Sequence, residues 1–286
     1  MLNFSNRSHT VALTNEEIHK YAPSVFASYA HESRSERFRT IPTIEILEGL
    51  KKEGFEVVSA QQCTVRDPSR RDFTRHLLRM RHRNDLENNA PKSRLLDTHG
   101  EIVLKNANDG SSSYELMAGA YRLLCSNGMV GWSPYFEAIK VRHSGNLEEI
   151  SRKVIEGTYT VVEETNNLLS KRDEWSDIKL NDESRLLLAQ AAHIARFGDS
   201  KGETNTPIKP QQLLTIRRSG DSGNDLWTTF NIIQENSIKG GLSAFNRSTE
   251  RMTTTREVKS LDNDVKINRA LWKITDHFAR QFKSAA

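Results

Sequence analysis

The sequence predicts an α+β protein, with an antiparallel β-sheet in the N-terminal half packed against a helical C-terminal half. Three observations predict it. Short runs of strand character, punctuated by tight-turn signals, occupy residues 55–143. Apolar positions at helical spacing dominate after Gly145. Strands gathered first and helices afterwards are the α+β arrangement. The expected division is a strand-rich half over 1–145 and a helical half over 146–286, together one compact unit, because 286 residues can bury a sizeable core.

Each element has a local reason. Thr14-Asn15-Glu16-Glu17 is a capping box and starts a short helix that ends before Pro23. The charged stretch His31–Arg39 reads as a loop. Pro42 and Thr43 introduce Ile44, Ile46, Leu47 and Leu50, a helix that ends at Gly54. Phe55–Arg66 and Asp72–Arg83 form an antiparallel hairpin across the turn Asp67-Pro68-Ser69-Arg70. Further strands fall at Glu101–Asn106, Tyr114–Leu124, Met129–Trp132 and Glu137–His143, with turns at Asn108-Asp109-Gly110 and Ser126-Asn127-Gly128. Helices are expected at Leu147–Ser170, Asp182–Phe197, Asn224–Asn236 and Asp262–Phe282. Gly198–Pro207 and Gly240–Thr255 read as exposed loops.

Composition narrows the setting. No apolar run approaches the roughly 18 residues of a membrane span, and Met1–Thr10 lacks the apolar core of a secretion signal. The two cysteines, Cys63 and Cys125, stand far apart and form no disulfide framework, so the expected location is the cytoplasm. The net charge of +4 favours polyanionic partners only weakly, and its distribution matters more.

Familiar catalytic patterns are missing from the sequence. It contains no G-x-x-x-x-G-K-[ST], no G-x-G-x-x-G after a strand, no H-E-x-x-H, no Cys-x-x-Cys and no G-x-S-x-G. His76 and His82 lie on a predicted strand beside Leu78 and Met80, where a satisfied core histidine outweighs a metal ligand. Glu257-Val258-Lys259 is a bare E-x-K triplet without the preceding aspartate a metal-dependent nuclease needs. The expectation is therefore a non-enzymatic protein with no cofactor and no metal.

The most informative local feature is basic. With a period of two, Arg75, Leu77, Arg79, Arg81 and Arg83 share one strand face, and His76, Leu78, Met80 and His82 share the other. Arg66, Arg70 and Arg71 extend the concentration, so the segment 66–83 holds seven arginines against Asp67 and Asp72. Planar, permanently charged guanidinium groups suit phosphate oxygens. Three readings stand side by side: a track for a nucleic-acid backbone, a charged strand face that stays soluble and unpaired, or a surface that binds an acidic protein. Arg217, Arg218, Lys239, Arg247, Arg251 and Arg256 make a second basic concentration. Phe73, Tyr114, Tyr121 and Trp132 are candidates for base stacking, whereas Trp227 belongs to a core. The amides of Asn231, Gln234 and Asn236, with Glu235, suit packing and capping more than base contacts.

Several blocks together resemble a known group: Asp109-Gly110-Ser111-Ser112-Ser113-Tyr114, Arg122–Met129, Val141–Asn146, Val154–Tyr159, Asp225–Asn231, Gln234-Glu235-Asn236, Lys239-Gly240-Gly241-Leu242, Thr255-Arg256 and Asn268–Trp272. They are similar to the phage/plasmid-like protein family known as domain of unknown function 932, and His31–Arg37 through Thr43 fits its enterobacterial branch. The resemblance implies carriage by prophages, plasmids and integrative elements. It brings no catalytic residues with it. The expected function is a DNA-binding accessory protein of such an element, favouring single-stranded DNA, a homo-oligomer, and acting in strand annealing or recombination. The alternative is a protein-interaction factor that binds a host protein, counters host defence or serves a toxin–antitoxin circuit.

Overall fold

The computed structural model describes residues 11–87, 98–122, 127–130, 138–199 and 201–284. The chain divides into two compact units, Met1–Gly128 with Ser133–Leu168, and Met129–Trp132 with Leu169–Ala286.

In the first unit, helix α1 (Asn15–Tyr21) starts where the capping box places it. Thr14 Oγ1 accepts from the Glu17 amide at 3.2 Å and Glu17 Oε2 accepts from the Thr14 amide at 3.0 Å. A 3₁₀ turn, Pro23–Phe26, follows. Helix α2 (Thr43–Lys52) buries Leu47 and Leu50, and the chain leaves it through Gly54 at φ +91°. Then come β1 (Phe55–Gln62), β2 (His76–His82), the short α3 (Arg83–Glu87), β3 (Thr98–Asn106), β4 (Tyr114–Arg122), β5 (Asn127–Val130) and β6 (Ile139–Val141).

These strands make one sheet in the order β1-β2-β3-β4-β5, with β6 also paired to β4. The β1–β2, β2–β3, β3–β4 and β4–β6 pairs are antiparallel, so the protein is α+β as predicted. Register aligns Ala60, Leu78, Leu104 and Leu116 in a row across four strands, each fully buried. That row fixes the pairing, because a slip by one residue would move every one of them to the opposite face.

A chain of polar side chains fastens the segment preceding α2 to this sheet. Ser24 Oγ lies 2.8 Å from His76 Nδ1, and Thr43 Oγ1 lies 2.9 Å from His76 Nε2. Asn106 Nδ2 donates to Thr43 Oγ1 and to the Ile41 carbonyl, and Asn106 Oδ1 lies 2.9 Å from His143 Nε2. His76 is thus a satisfied core histidine, and burial pushes its pKa down to about 4.

Some expected boundaries move. The hairpin strands end at Gln62 and begin at His76, leaving a longer connection that holds a 3₁₀ turn at Pro68–Arg70. Asn127 and Gly128 belong to β5 instead of a turn, and Ser126 lies outside the described residues. Leu123, Leu124, Trp132 and Glu137, expected at strand ends, lie outside them too.

Helix α4 (Leu147–Asp177) supplies residues to both units, and the second unit adds α5 (Asp182–Phe197), α6 (Leu226–Lys239) and α7 (Leu261–Ser284). Trp175, Trp227, Phe230 and Trp272 form its aromatic centre, with Trp175 and Trp272 rings 4.6 Å apart. Asp225 caps α6 by accepting from the Thr228 amide at 2.8 Å. Helix α6 is buried almost all round, and its amides are spent inside the unit: Gln234 donates to Asn268, and Asn236 to the carbonyls of Leu213, Thr215 and Ile232. The segment expected as a loop after Gly240 is instead a two-stranded hairpin, β7 (Ser243–Asn246) and β8 (Arg251–Thr254).

Among the described residues no helix is long and apolar enough to cross a membrane, and no three His, Cys, Asp or Glu side chains gather as a metal-holding group.

Candidate nucleic-acid interface

The two basic concentrations meet different fates. Strand β2 does alternate as predicted, with Leu77, Arg79 and Arg81 on one face. That face is not open. Arg79 is 4% exposed and Arg81 0%. Both reach the same carboxylate, Arg79 Nη1 at 3.1 Å from Glu101 Oε2 and Arg81 Nη2 at 2.8 Å from Glu101 Oε1. Lys105 and Glu115, register partners on β3 and β4, form a second, largely covered pair at 3.2 Å on the same face. Leu77, Val103 and Met117 complete it. Strand β2 is buried on both faces, so its alternating charge and apolarity carries internal ion pairs and not a phosphate track. The placement of Arg79 and Arg81 on a solvent-facing ribbon is therefore corrected.

The neighbouring arginines divide. Arg75 is half-buried before β2 begins. Arg83 opens α3 and pairs with Glu56 at 2.8 Å while its side chain stays 54% exposed. Arg66 and Arg71 are exposed in the connection, and Arg70 lies 3.7 Å from Asp67. Of the stacking candidates, Tyr114 is fully buried and Phe73 is half-buried with its ring edge against Tyr29 and His31. The side chains of Tyr121 and Trp132 lie outside the description.

The second concentration is assembled around the end of α6. Glu235 sits buried on that helix, with Arg218 Nη2 at 2.8 Å and Lys239 Nζ at 3.5 Å. Burial alone pushes the Glu235 carboxyl up, but the two cations outweigh it and hold the group below the ordinary range. Arg217 Nε donates to Asn236 Oδ1 at 2.6 Å, and its Nη2 donates to the Gly240 carbonyl. Arg196 donates to the Ser237 and Arg256 carbonyls. Two cations thus hold one carboxylate, two more bind the backbone and Asn236 at the helix end, and Arg256 is exposed beside them.

This cluster is the root of the β7–β8 hairpin. Gly240 turns the chain at φ +64°, where an added Cβ would meet the Arg256 carbonyl carbon at 2.6 Å. Gly241 and Leu242 then pair with Thr255, and Gln212 Nε2 donates to the Ser243 carbonyl at 2.8 Å. Beyond that root the hairpin opens to solvent. Phe245 and Met252 are register partners on one face, 56% and 65% exposed, with Ser243 and Thr254 beside them joined hydroxyl to hydroxyl at 2.7 Å. Arg247 and Arg251 are exposed at the tip. Sequence reading missed Phe245 and Met252. The available signal was the alternation of Ser243 with Phe245 and of Met252 with Thr254 on either side of Asn246–Glu250.

The arrangement defines an α+β protein with a basic, aromatic-bearing hairpin on its helical unit. The sequence matches the family described as "Domain of unknown function (DUF932)" over residues 30–272, and the chain belongs to that family. It is 41% identical to UPF0380 protein YafZ of Escherichia coli (strain K12) over 271 residues, 95% of this chain and 93% of that protein. UPF0380 protein YfjQ of the same organism matches to the same extent. No solved structure matches.

Proposed function

We propose that this is a non-enzymatic nucleic-acid-binding accessory protein of a phage, plasmid or integrative element, favouring single-stranded DNA. The observation that carries the reading is the hairpin pair Phe245 and Met252, turned to solvent with Arg247 and Arg251 exposed at the same tip. An exposed ring offers a stacking platform to an unpaired base, which a duplex keeps covered, and adjacent guanidinium groups hold the backbone. Arg256 and the half-exposed Arg218 and Lys239 at the root extend the positive surface. The mobile-element setting rests on the family resemblance. Strand annealing in recombination fits contacts that are individually weak and gain from repetition in a homo-oligomer.

The test is to measure the purified protein against labelled single-stranded DNA, duplex DNA and RNA across a salt series, recording its mass with and without ligand. Tightest binding to single strands, weakened by Phe245→Ala, is the expected result. Absence of binding to all three at low salt would defeat the reading.

One observation favours the alternative, a protein-interaction factor. In the first unit, α2 and α4 border a largely apolar cavity of about 600 Å³ floored by Leu50, Phe55 and Val154, with Tyr159 61% exposed at its rim. A host partner that co-purifies after nuclease treatment, and is lost on Tyr159→Asp, would support that reading.

A further inference from the structure

A second cavity of the first unit has a different chemistry. It measures about 340 Å³ and is lined by Lys20 and Tyr21 from the last turn of α1, Pro23, Gln62, Cys63, Thr64, Val65, and Pro68 and Arg71 from the connection between β1 and β2. That volume is near the lower end for small-ligand sites, roughly 300 Å³. Two cations enter from separate elements and no carboxylate is among the nine lining residues. The adjoining stretch 66–72 holds Arg66, Arg70 and Arg71 against Asp67 and Asp72, with Asp67 3.7 Å from Arg70, so it keeps a positive balance. The cavity mouth is therefore a place for an anion.

The remaining walls are flat and weakly polar: the Tyr21 ring, two proline rings and Val65. Burial pushes the Cys63 thiol up, so it stays protonated and lines the cavity as a small neutral group. The cavity is also braced. Gln62 Oε1 accepts from the Ser24 amide at 3.0 Å and Gln62 Nε2 donates to the Arg71 carbonyl at 2.6 Å, tying the α1 side to the arginine side. A planar ring against Tyr21 and the prolines, with its charged group toward Arg71 and toward Lys20, whose Nζ lies 6.0 Å over the Tyr21 ring, suits this lining.

We propose that this cavity binds one nucleotide unit, a planar base carrying a phosphate, either free as a mononucleotide or at the end of a strand. It uses residues of the first unit only, and stands or falls separately from the hairpin.

Calorimetric titration of the full chain with each of the four 5′-mononucleotides, a nucleoside and inorganic phosphate tests it. The expected result is binding of at least one mononucleotide, with the nucleoside and phosphate each weaker by about tenfold or more. Arg71→Ala and Lys20→Ala should each weaken the mononucleotide about tenfold, the strength of one charge-assisted contact. Both positions are exposed, and the Arg71 group bonded to Gln62 is its carbonyl, so these variants keep the fold. Location is read from Cys63: the thiol-labelling rate of the wild type, less that of Cys63→Ser, should fall when the mononucleotide is present. A 5′-phosphorylated oligonucleotide that protects Cys63, where its unphosphorylated counterpart does not, would place strand ends in the cavity. Protection by mononucleotide alone would make free nucleotide the ligand. No mononucleotide binding at millimolar concentration, or binding indifferent to both Arg71→Ala and Lys20→Ala, overturns the proposal. Phe245→Ala should leave mononucleotide affinity unchanged. Retained strand binding with an empty cavity would sink the cavity alone, and the reverse would sink the hairpin alone.

Discussion

Arg81 Nη2 stands 2.8 Å from Glu101 Oε1, with both side chains wholly withdrawn from solvent. Arg79 shares that carboxylate from two residues earlier on the same strand. One glutamate therefore bridges two guanidinium groups inside the sheet, and removing it takes a carboxylate partner from both.

Replacing Glu101 with Gln should destabilise the protein by about 3–5 kcal/mol, the cost of breaking a buried pair from one side. Arg81→Met, which removes charge while keeping apolar bulk, should cost less. Urea unfolding followed by circular dichroism measures both. Equal midpoints for wild type and Glu101→Gln would show that the pair contributes nothing.

His76 sets an acid limit on stability. Its pKa is about 4 in the fold against 6.5 when unperturbed, because burial disfavours the cation. Between those values the unfolded chain holds a proton that the folded chain does not, so stability falls as pH drops from about 6.5 to about 4. The loss reaches roughly 3 kcal/mol. His76→Gln should flatten the dependence of the urea midpoint on pH in that window, whatever it does to the absolute midpoint.

The hairpin predictions separate stacking from charge. Phe245→Ala should cost about 1–3 kcal/mol of single-strand affinity, and Phe245→Trp should restore it. Arg247→Ala and Arg251→Ala should each reduce the slope of log affinity against log salt by about 0.7. A salt slope unmoved in the double variant would remove these arginines from the contact.

Gly240 is required where it stands. Its positive φ and the Arg256 carbonyl carbon, 2.6 Å from any added Cβ, leave no space for a side chain. Gly240→Ala should lower stability by more than about 1 kcal/mol. Thermal unfolding reads the loss, and strand affinity should fall with it because the same turn seats the hairpin root.

Much of the fold was legible. The capping box at Thr14, the breaks at Pro42 and Gly54 and the turn at Asn108–Gly110 are local signals, and the structure places elements where they point. Strand alternation at 76–82 was legible as well. What the alternation meant was not. An arginine facing water and an arginine facing a buried glutamate carry the same letter, and Glu101 lies twenty residues or more away along the chain. The hairpin after Gly240 was masked by its composition, since Ser, Thr, Asn and Arg read as loop unless their pairing is known.

Sequence by itself determined the α+β class, the succession of a strand-rich half and a helical half and the presence of two basic concentrations, because these follow from spacing and composition along one chain. Only the tertiary structure decided which cations are available. Pairing across strands closed Glu101 over Arg79 and Arg81, while the turn at Gly240 left Phe245, Met252, Arg247 and Arg251 in solvent. Availability depends on what the opposite strand or helix brings to the same spot, and that is a property of contacts between distant residues.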